Sequence, residues 1–347
     1  MSTFLQFFKG SAIFTLVCVV LGFFYGQYLT GTVQGGLATA MILMVLGILE
    51  TSLSFDNAIV NAKVLETMTP TWRHRFITWG MVIAVFGMRV LFPILIVSVF
   101  AHIGILDAFK MAVNDPKKYA DTLTASHIMI AGFGGSFLLL VATKYFFDVE
   151  KETHWIQPIE NWISNAGNLK SIELILTLGI TYAVSFIVPA HEQFAFMAAC
   201  IAGIVCHELV HGVAELLEAK EEHDLAAGVV KGGIMTFLYL EVLDASFSFD
   251  GVIGAFVLSN NIFIIAMGLG IGAMFVRSLT IMFVEKKTLS EFKYLEHGAF
   301  WSIMILAGIM FTSIKYEIPE WVTGLLSVAF IGSALVSSII HSKKEVA

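Results

Sequence analysis

The chain has 347 residues, of which 57% are hydrophobic and only 14% are charged, and its net charge is −7. A soluble domain has roughly 45–50% apolar and about 25% charged residues, so this composition excludes an ordinary soluble protein and indicates a membrane protein. The three cysteines lie in apolar segments without disulfide or zinc-finger spacing. No basic stripe indicates a nucleic-acid partner.

Apolar segments of membrane-spanning length follow one another along the whole chain. A helix needs about 20 residues to cross the hydrocarbon layer of a bilayer. We therefore predict an all-α, polytopic transmembrane helix bundle of about ten spans. In chain order, the predicted spans are 11–29, 36–62, 76–100, 126–147, 171–189, 194–217, 229–258, 261–284, 297–314 and 321–340.

The basic residues predict the orientation of these spans. Fourteen of the 20 Lys and Arg residues lie on the side that holds both termini and the loops after even-numbered spans. Four lie on the other side, and Arg89 and Arg277 lie within spans. Basic residues favour the cytoplasmic side. We expect a multi-pass protein of the bacterial inner (plasma) membrane with both termini in the cytoplasm.

Two stretches of the chain repeat one another and carry acids into apolar surroundings. Residues 50–57 align without a gap on residues 244–251 in the pattern acid-x-Ser-x-Ser-Phe-Asp-small. The copies lie on the second and seventh spans, so the two motif helices run in opposite directions. This predicts an inverted-topology repeat, with a first half over residues 1–190 and a second over 191–347. Transporters of this architecture bind substrate near the midplane, between the repeats.

The repeated motifs offer only oxygen ligands. Acids inside a span are functional-site candidates, and oxygen donors suit hard divalent ions such as Mn²⁺, Mg²⁺ or Ca²⁺. The candidate metal ligands are Glu50, Ser52, Ser54, Asp56, Asn57, Asp244, Ser246, Ser248 and Asp250. Helical spacing places Glu50, Ser54 and Asn57 on one face and Ser52 with Asp56 on another. The alternative for the serines is a hydrogen bond back to their own helix.

Each motif helix is followed by a span that carries one arginine. An arginine within the bilayer must find a partner. The nearest acids in sequence predict that Arg89 pairs with Asp56 or Glu50, and that Arg277 pairs with Asp250 or Asp244. A structural ion pair and a gating role both fit this arrangement.

The motifs resemble the two signatures of the TerC family of integral membrane proteins. The resemblance covers most of the chain and is closest to an uncharacterised bacterial subgroup with longer and more numerous spans. It is carried by residues 50–58, Gly80, Arg89, residues 243–251, residues 261–263, Arg277 and residues 294–298. In the second motif, Ser248 and Phe249 depart from what typical members carry. The resemblance implies manganese efflux or a related metal-export role, with an older association to tellurite resistance.

A second motif belongs to a different class of protein. His207, Glu208 and His211 match the pattern H-E-x-x-H, which places two imidazoles on one helical face to bind zinc and uses the glutamate as general base. The alternative function is therefore an intramembrane zinc metalloprotease. An accessory metal site, and a polar packing or proton-relay role, are further interpretations of the same residues.

Together, these patterns predict an inner-membrane exporter of divalent metal ions rather than an enzyme. Mn²⁺ is the first expectation for the transported ion, with Ca²⁺ or Zn²⁺ as alternatives, and proton exchange would drive export because metal-binding carboxylates can also be protonated. We expect no organic cofactor. The expected partners are the lipid bilayer and metal ions, without nucleic acid, and the sequence leaves a homo-oligomer open.

Overall fold

Every element of regular structure in the described part of the chain is helical, which confirms the predicted all-α bundle. The computed structural model describes residues 2–80, 82–100, 103–149, 151, 153–224, 236–238, 240–242, 244, 255, 258–259, 261–287, 292–316 and 318–346. The second motif is therefore described only at Asp244, and Ser246, Ser248 and Asp250 lie outside the described residues.

The first half of the chain begins with long helices and then breaks into shorter ones. Its elements are α1 (Ser2–Thr30), α2 (Val33–Leu53), α3 (Phe55–Thr67), α4 (Pro70–Arg75), two π-helical segments (Phe76–Gly80 and Ile83–Leu91), α5 (Phe92–Phe100), α6 (Ile105–Asn114), α7 (Pro116–Ala125), α8 (His127–Phe147), α9 (Gln157–Ala166) and α10 (Ile172–Ser185).

The second half is made of long helices wherever it is described over a continuous range. They are α11 (Gln193–Asp224), α12 (Ile262–Glu285), α13 (Leu295–Ser313) and α14 (Glu320–Val346). Residues 236–238, 240–242 and 244 are also helical.

Six of the described helices are long and apolar enough to cross a membrane. The bent pair that joins Pro70–Gly80 to Val85–Val99 makes a seventh if it counts as one span. Two more predicted spans correspond to shorter apolar helices, Ile172–Ser185 and Gln193–Leu209. The remaining one, 229–258, falls largely outside the described residues. The chain therefore has the helices of a multi-pass membrane protein.

The bundle has a central layer and a lipid-facing periphery. The most apolar windows of α8, α12 and α13 are 72, 67 and 61% buried, whereas those of α1, α2 and α14 are 22, 33 and 33% buried. Apolar side chains that remain exposed on a membrane-length helix face lipid rather than water. The central helices therefore form the core against which the first motif packs.

The second predicted span is interrupted in the middle of its motif. Helix α2 ends at Leu53, Ser54 has φ −99° and ψ 18°, and α3 begins at Phe55. The Ser54 N–H still donates to the Glu50 carbonyl at 2.9 Å, so one helical hydrogen bond is kept across the break. Broken helices form ion sites in many transporters because their free backbone groups and side chains face a shared cavity.

The third predicted span is also irregular. Two π-helical segments occupy most of its first half, and its two parts meet at an angle of 42°. The second segment carries Arg89. Insertions that widen a helix by one residue per turn are frequent at functional sites, because they redirect side chains that a regular helix would place elsewhere. Both irregular spans lie beside the same buried acids.

Helices α2 and α12 approach each other closely through glycine. A Cβ atom at Gly272 would lie 2.4 Å from the Cβ of Glu50, and one at Gly47 would lie 2.7 Å from Cγ2 of Ile271. Small residues let transmembrane backbones approach and gain packing contacts that lipid cannot supply. These glycines place the first motif against a helix of the second half.

One end of the bundle is closed by buried and partly buried charges. Glu160 is fully buried and accepts hydrogen bonds from Trp301 Nε1 at 2.9 Å and from the backbone N–H groups of Trp155 and Ile156 at 3.1 and 3.2 Å. Lys151 Nζ lies 3.6 Å from the same carboxylate. Burial alone would raise the pKa of Glu160, but these donors and the lysine charge outweigh it and hold the pKa below its usual value.

An ion pair between Lys63 and Glu296 lies at the same end and joins the end of α3 to the start of α13. Lys63 also lies over the ring of Tyr145 near the end of α8, 5.1 Å from the ring centroid. The ends of the second and fourth predicted spans and the start of the ninth thus share one face of the bundle. The basic residues predict the same grouping, and its assignment to the cytoplasm stays a prediction.

Candidate functional site

Glu50, the first acid of the first motif, is enclosed by a complete set of partners. It is 1% exposed in the last turn of α2 and forms a buried ion pair with Arg89, which is 3% exposed. The Ser54 hydroxyl, at the helix break, donates to Glu50 Oε1 at 3.2 Å. A buried carboxylate without a partner would be very costly. Of the two acids predicted for Arg89, the structure therefore places Glu50 against it.

Asp56, the second acid, faces a different neighbour. Its Oδ1 accepts the Asn57 N–H at 3.0 Å, and its Oδ2 lies 3.0 Å from the Ser302 hydroxyl on α13. The Ser327 hydroxyl on α14 lies 2.7 Å from that of Ser302. Ser302 and Ser327 were missed by the sequence analysis. The available signal was a hydroxyl within an apolar span, which by itself indicates little.

The other serine of the first motif does not point into this site. Ser52 donates back to the Ile48 carbonyl of its own helix at 2.9 Å. Its Cβ lies on the side of α14, 3.6 Å from where a Cβ on Gly324 would be. The alternative of bonding within the helix therefore describes Ser52, while Ser54 bonds to Glu50.

Acids from the two motif copies meet inside the protein. Asn61, on α3, donates a hydrogen bond to Asp244, and both Arg89 and Glu50 act on Asp244 electrostatically. Asn61 is itself only 4% exposed. The second, third and seventh predicted spans thus converge on one cluster, which we call the acidic centre: Glu50, Arg89, Asn61 and Asp244.

Among the described residues, Arg277 has a backbone partner, and its pairing with Asp250 stays a prediction. Within the described residues it forms no ion pair with Asp244, and its Nε instead donates to the Ile77 carbonyl at 2.8 Å. The widened helix at Phe76–Gly80 frees such carbonyls from the usual hydrogen-bond ladder. Asp250, the other predicted partner, lies outside the described residues.

A cavity adjoins the acidic centre. It offers about 50 Å³ to solvent-sized molecules, against the 10–15 Å³ or so that one water needs on this measure. Its walls are mainly apolar, with polar groups from three helices. The lining residues are Asn61, Leu65, Phe76, Ile77, Gly80, Glu241, Asp244, Ala273, Val276, Arg277, Thr280 and Ile281. Glu241 lies three residues before Asp244, outside the repeated motif, and the structure makes it part of the cavity wall.

Acids alone do not complete a metal site in the described part of the chain. No three His, Cys, Asp or Glu side chains among those residues are arranged to hold a metal ion. Glu50 and Asp244 belong to the acidic centre, but Asp56 faces α13, and Asp250, Ser246 and Ser248 are not described. Amide and hydroxyl oxygens such as those of Asn57 and Ser54 would have to supply further ligands.

The H-E-x-x-H residues have other contacts. His207 is buried, its ring lies edge-on to Phe137 with centroids 5.3 Å apart, and its Nδ1 is 3.2 Å from Glu208 Oε1. Glu208 also forms an ion pair with Lys144 at 2.9 Å. A general base needs a free carboxylate beside the metal-bound water. The His211 side chain lies outside the described residues, and nothing supports the protease alternative.

Helix count, apolar composition and buried acids define a multi-pass membrane protein. The chain belongs to the family described as "Protein of unknown function (DUF475)", whose profile matches residues 55–345. It is also 28% identical over 112 residues to the "Uncharacterized membrane protein YceF" of Bacillus subtilis (strain 168). That match covers 32% of this chain and 43% of the relative, so the chain spans less than half of the relative's length. No solved structure matches the chain.

Proposed function

We propose that the protein exports divalent metal ions across the bacterial inner membrane, with Mn²⁺ as the first candidate. The observation that carries the proposal is the acidic centre, where the buried Glu50–Arg89 pair of the first motif acts on Asp244 of the second motif. Buried ionisable groups are expensive in a membrane protein and mark ion pathways. Oxygen donors favour hard cations, and the resemblance to the TerC family points to the same cargo.

In this proposal, Arg89 takes the place of the cation when the site is empty. Its ion pair with Glu50 neutralises the carboxylate inside the bundle. An arriving dication supplies two positive charges, so it competes with Arg89 for Glu50 and draws in Asp244. Asp56 and Asp250 then provide further carboxylates from the two repeats. The break at Ser54 lets Asp56 turn without bending a continuous helix.

Proton exchange is the proposed source of energy. A carboxylate that releases a metal ion inside the protein is left with an uncompensated charge, and protonation removes that cost. Each outward metal ion would then be replaced by inward protons on the same acids. The proposal requires transport of a divalent ion to depend on a pH gradient of the corresponding direction.

The test is ion flux in proteoliposomes that contain the purified full chain. Mn²⁺, Ca²⁺, Mg²⁺ and Zn²⁺ are compared with and without a pH gradient, in the wild type and in Asp56→Asn. The control is Asp121→Asn, which removes an acid from the exposed surface of α7. We expect the wild type and the control to carry Mn²⁺ and Asp56→Asn to carry none. Normal flux in Asp56→Asn, or no flux of any of the four ions in the wild type, would overturn the proposal.

A further inference from the structure

Glu241 is a buried acid whose oxygens have no hydrogen-bond partner in the described part of the chain. It is 6% exposed, and neither Oε1 nor Oε2 accepts a hydrogen bond from a described residue. Asn61 shows the same feature, because its Oδ1 is buried and unpaired. Buried polar atoms are almost always satisfied, so each exception calls for an explanation. Three unpaired oxygens beside one cavity indicate a missing positively charged or donating ligand.

The carboxylate of Glu241 is accommodated by a glycine on the facing span. A Cβ at Gly80 would lie 2.7 Å from Glu241 Oε1, so any larger residue there would push the carboxylate away. Gly80 ends the first π-helical segment of the third span. The local backbone thus leaves a space that a carboxyl oxygen of Glu241 fills.

The cation already present in the cavity wall does not neutralise Glu241. Arg277 lines the cavity, but its Nε is held by the Ile77 carbonyl, and it forms no ion pair within the described residues. The Asp244 charge acts on Glu241 and is of the same sign. Among the described residues, two acids and one amide oxygen therefore line the cavity without an ion pair to a cation.

We infer that Glu241, Asn61 and Asp244 form a second binding position for a hard divalent cation, which we call the outer subsite. Carboxylate and amide oxygens are ligands that such ions prefer, and the cavity has room for an ion with a few waters. Asp244 would be shared with the acidic centre. The inference rests on the proposed export function and adds a position through which the ion reaches that centre.

The place of the outer subsite in the bundle indicates its role. Asn61 lies one turn beyond Asn57 along α3, in the direction of Lys63. Thr280 and Ile281 lie in the last part of α12, and Phe76 and Ile77 follow directly after α4. The cavity therefore lies between the acidic centre and the face that carries the Lys63–Glu296 pair. That face is the predicted cytoplasmic one, so an exported ion would meet the outer subsite first.

Equilibrium binding of Mn²⁺ to the detergent-purified full chain tests the subsite apart from transport. We expect Asp56→Asn, for which the proposed function predicts no transport, still to bind Mn²⁺ at the outer subsite, and Asp56→Asn/Glu241→Gln to have lost that binding. The matched control is Asp56→Asn/Glu285→Gln, because Glu285 is an exposed acid at the same end of α12. Equal binding by all three proteins, or no binding by Asp56→Asn, would overturn the subsite.

Transport kinetics supply the second arm. Removal of one ligand should raise the Mn²⁺ KM of Glu241→Gln on the order of tenfold or more with a smaller change in maximal rate. Gly80→Ala should raise KM in the same direction, because it displaces the carboxylate without changing charge. If KM is unchanged in both variants while flux is still lost in Asp56→Asn, the outer subsite is wrong and the export function is retained. Absence of flux in the wild type would contradict the export function itself.

Discussion

The two halves of the repeat carry similar charges in dissimilar surroundings. In the alignment of the motifs, Glu241 corresponds to Gly47, and Asn61 corresponds to Ala255. Gly80 and Gly268 each precede the arginine of their span by nine residues. Gly268 packs against Leu46 and Gly47, while Gly80 packs against the Glu241 carboxylate. The same contact between halves is therefore closed and apolar in one copy and polar beside a cavity in the other.

If the two halves are related repeats, as the sequence predicts, this difference would make the fold directional. In the first half, Glu50 is paired with Arg89 and Ser54. In the second half, Glu241 has no hydrogen-bond partner among the described residues, and Arg277 is bonded to a backbone carbonyl. An ion pathway through a perfectly symmetric pair of repeats would look alike from both sides of the membrane. Under the proposed export function, the additional acid would provide a higher local affinity for the ion at the predicted cytoplasmic side.

The largest expected effect on stability comes from removing the buried Glu50–Arg89 ion pair in the first half. Arg89→Gln leaves Glu50 as a buried charge without its cation, and loss of one member of a buried pair costs about 3–5 kcal/mol. We expect the free energy of unfolding in detergent to fall by about that amount, and the double variant Glu50→Gln/Arg89→Gln to recover most of it.

Arg277→Gln is the counterpart in the other half. It loses one charged hydrogen bond to a carbonyl and should cost less, about 1.5–3 kcal/mol. Equal destabilisation by Arg89→Gln and Arg277→Gln would mean that the arginines of the two halves contribute equally to stability, which contradicts the difference in their partners.

Glu160 sharpens the comparison as a buried acid surrounded by donors. Trp301→Phe removes one hydrogen bond to the carboxylate and should lower the free energy of unfolding by about 1.5–3 kcal/mol. Because the pKa of Glu160 is lower in the folded protein, its stabilisation is fully present above about pH 4.3, the usual glutamate value, and is lost as pH falls through the folded pKa.

The measurement is unfolding of the wild type and Glu160→Gln as a function of pH. The stability difference between the two should shrink as the solution is acidified through that window. A difference that stays constant down to the lowest accessible pH would show that the carboxylate charge contributes nothing.

The glycine contacts between the halves give the next effect. Gly272→Ala puts a Cβ 2.4 Å from that of Glu50, so α2 and α12 must separate. Overpacking of this kind costs about 1–3 kcal/mol. Gly308→Ala, on α13, meets nothing within 4 Å and should be neutral or stabilising. Thermal unfolding of both variants in the same detergent separates the two expectations, and equal melting temperatures would contradict the close approach.

The parts of this architecture that follow from composition and periodicity could be predicted from the sequence. The apolar runs gave helices, and the repeated acids indicated where two of them meet. The break at Ser54 could not be predicted, because the predicted span 36–62 is apolar on both sides of it and only the hydrogen bonds around Glu50 distinguish Ser54 from other serines. The π-helical segments could not be predicted either. A π-helical turn shifts the spacing of polar and apolar residues, but a span that is apolar on all sides shows no such spacing in its sequence.

The contacts of single polar side chains depended on tertiary structure. Ser302 reaches Asp56 from a helix nearly 250 residues further along the chain, and no local pattern encodes that distance. The bond from Arg277 to the Ile77 carbonyl also depends on tertiary structure, because the irregular third span offers this carbonyl. Glu241 aligns with Gly47 and so has no acidic counterpart in the first half. A search for residues shared by the two halves therefore does not find it.

The smallest expected effect concerns Ser52, the one serine of the first motif that bonds back to its helix. Its hydroxyl donates to the Ile48 carbonyl, and alanine is the better helix former by a few tenths of a kcal/mol. Ser52→Ala should therefore change the free energy of unfolding by no more than about 0.5 kcal/mol and leave Mn²⁺ flux unchanged. Ser54→Ala removes the hydroxyl that donates to Glu50 and should lower flux measurably. If Ser52→Ala impaired flux as much as Ser54→Ala did, Ser52 would have to turn toward the ion during transport, and the assignment of Ser52 to the helix alone would be wrong.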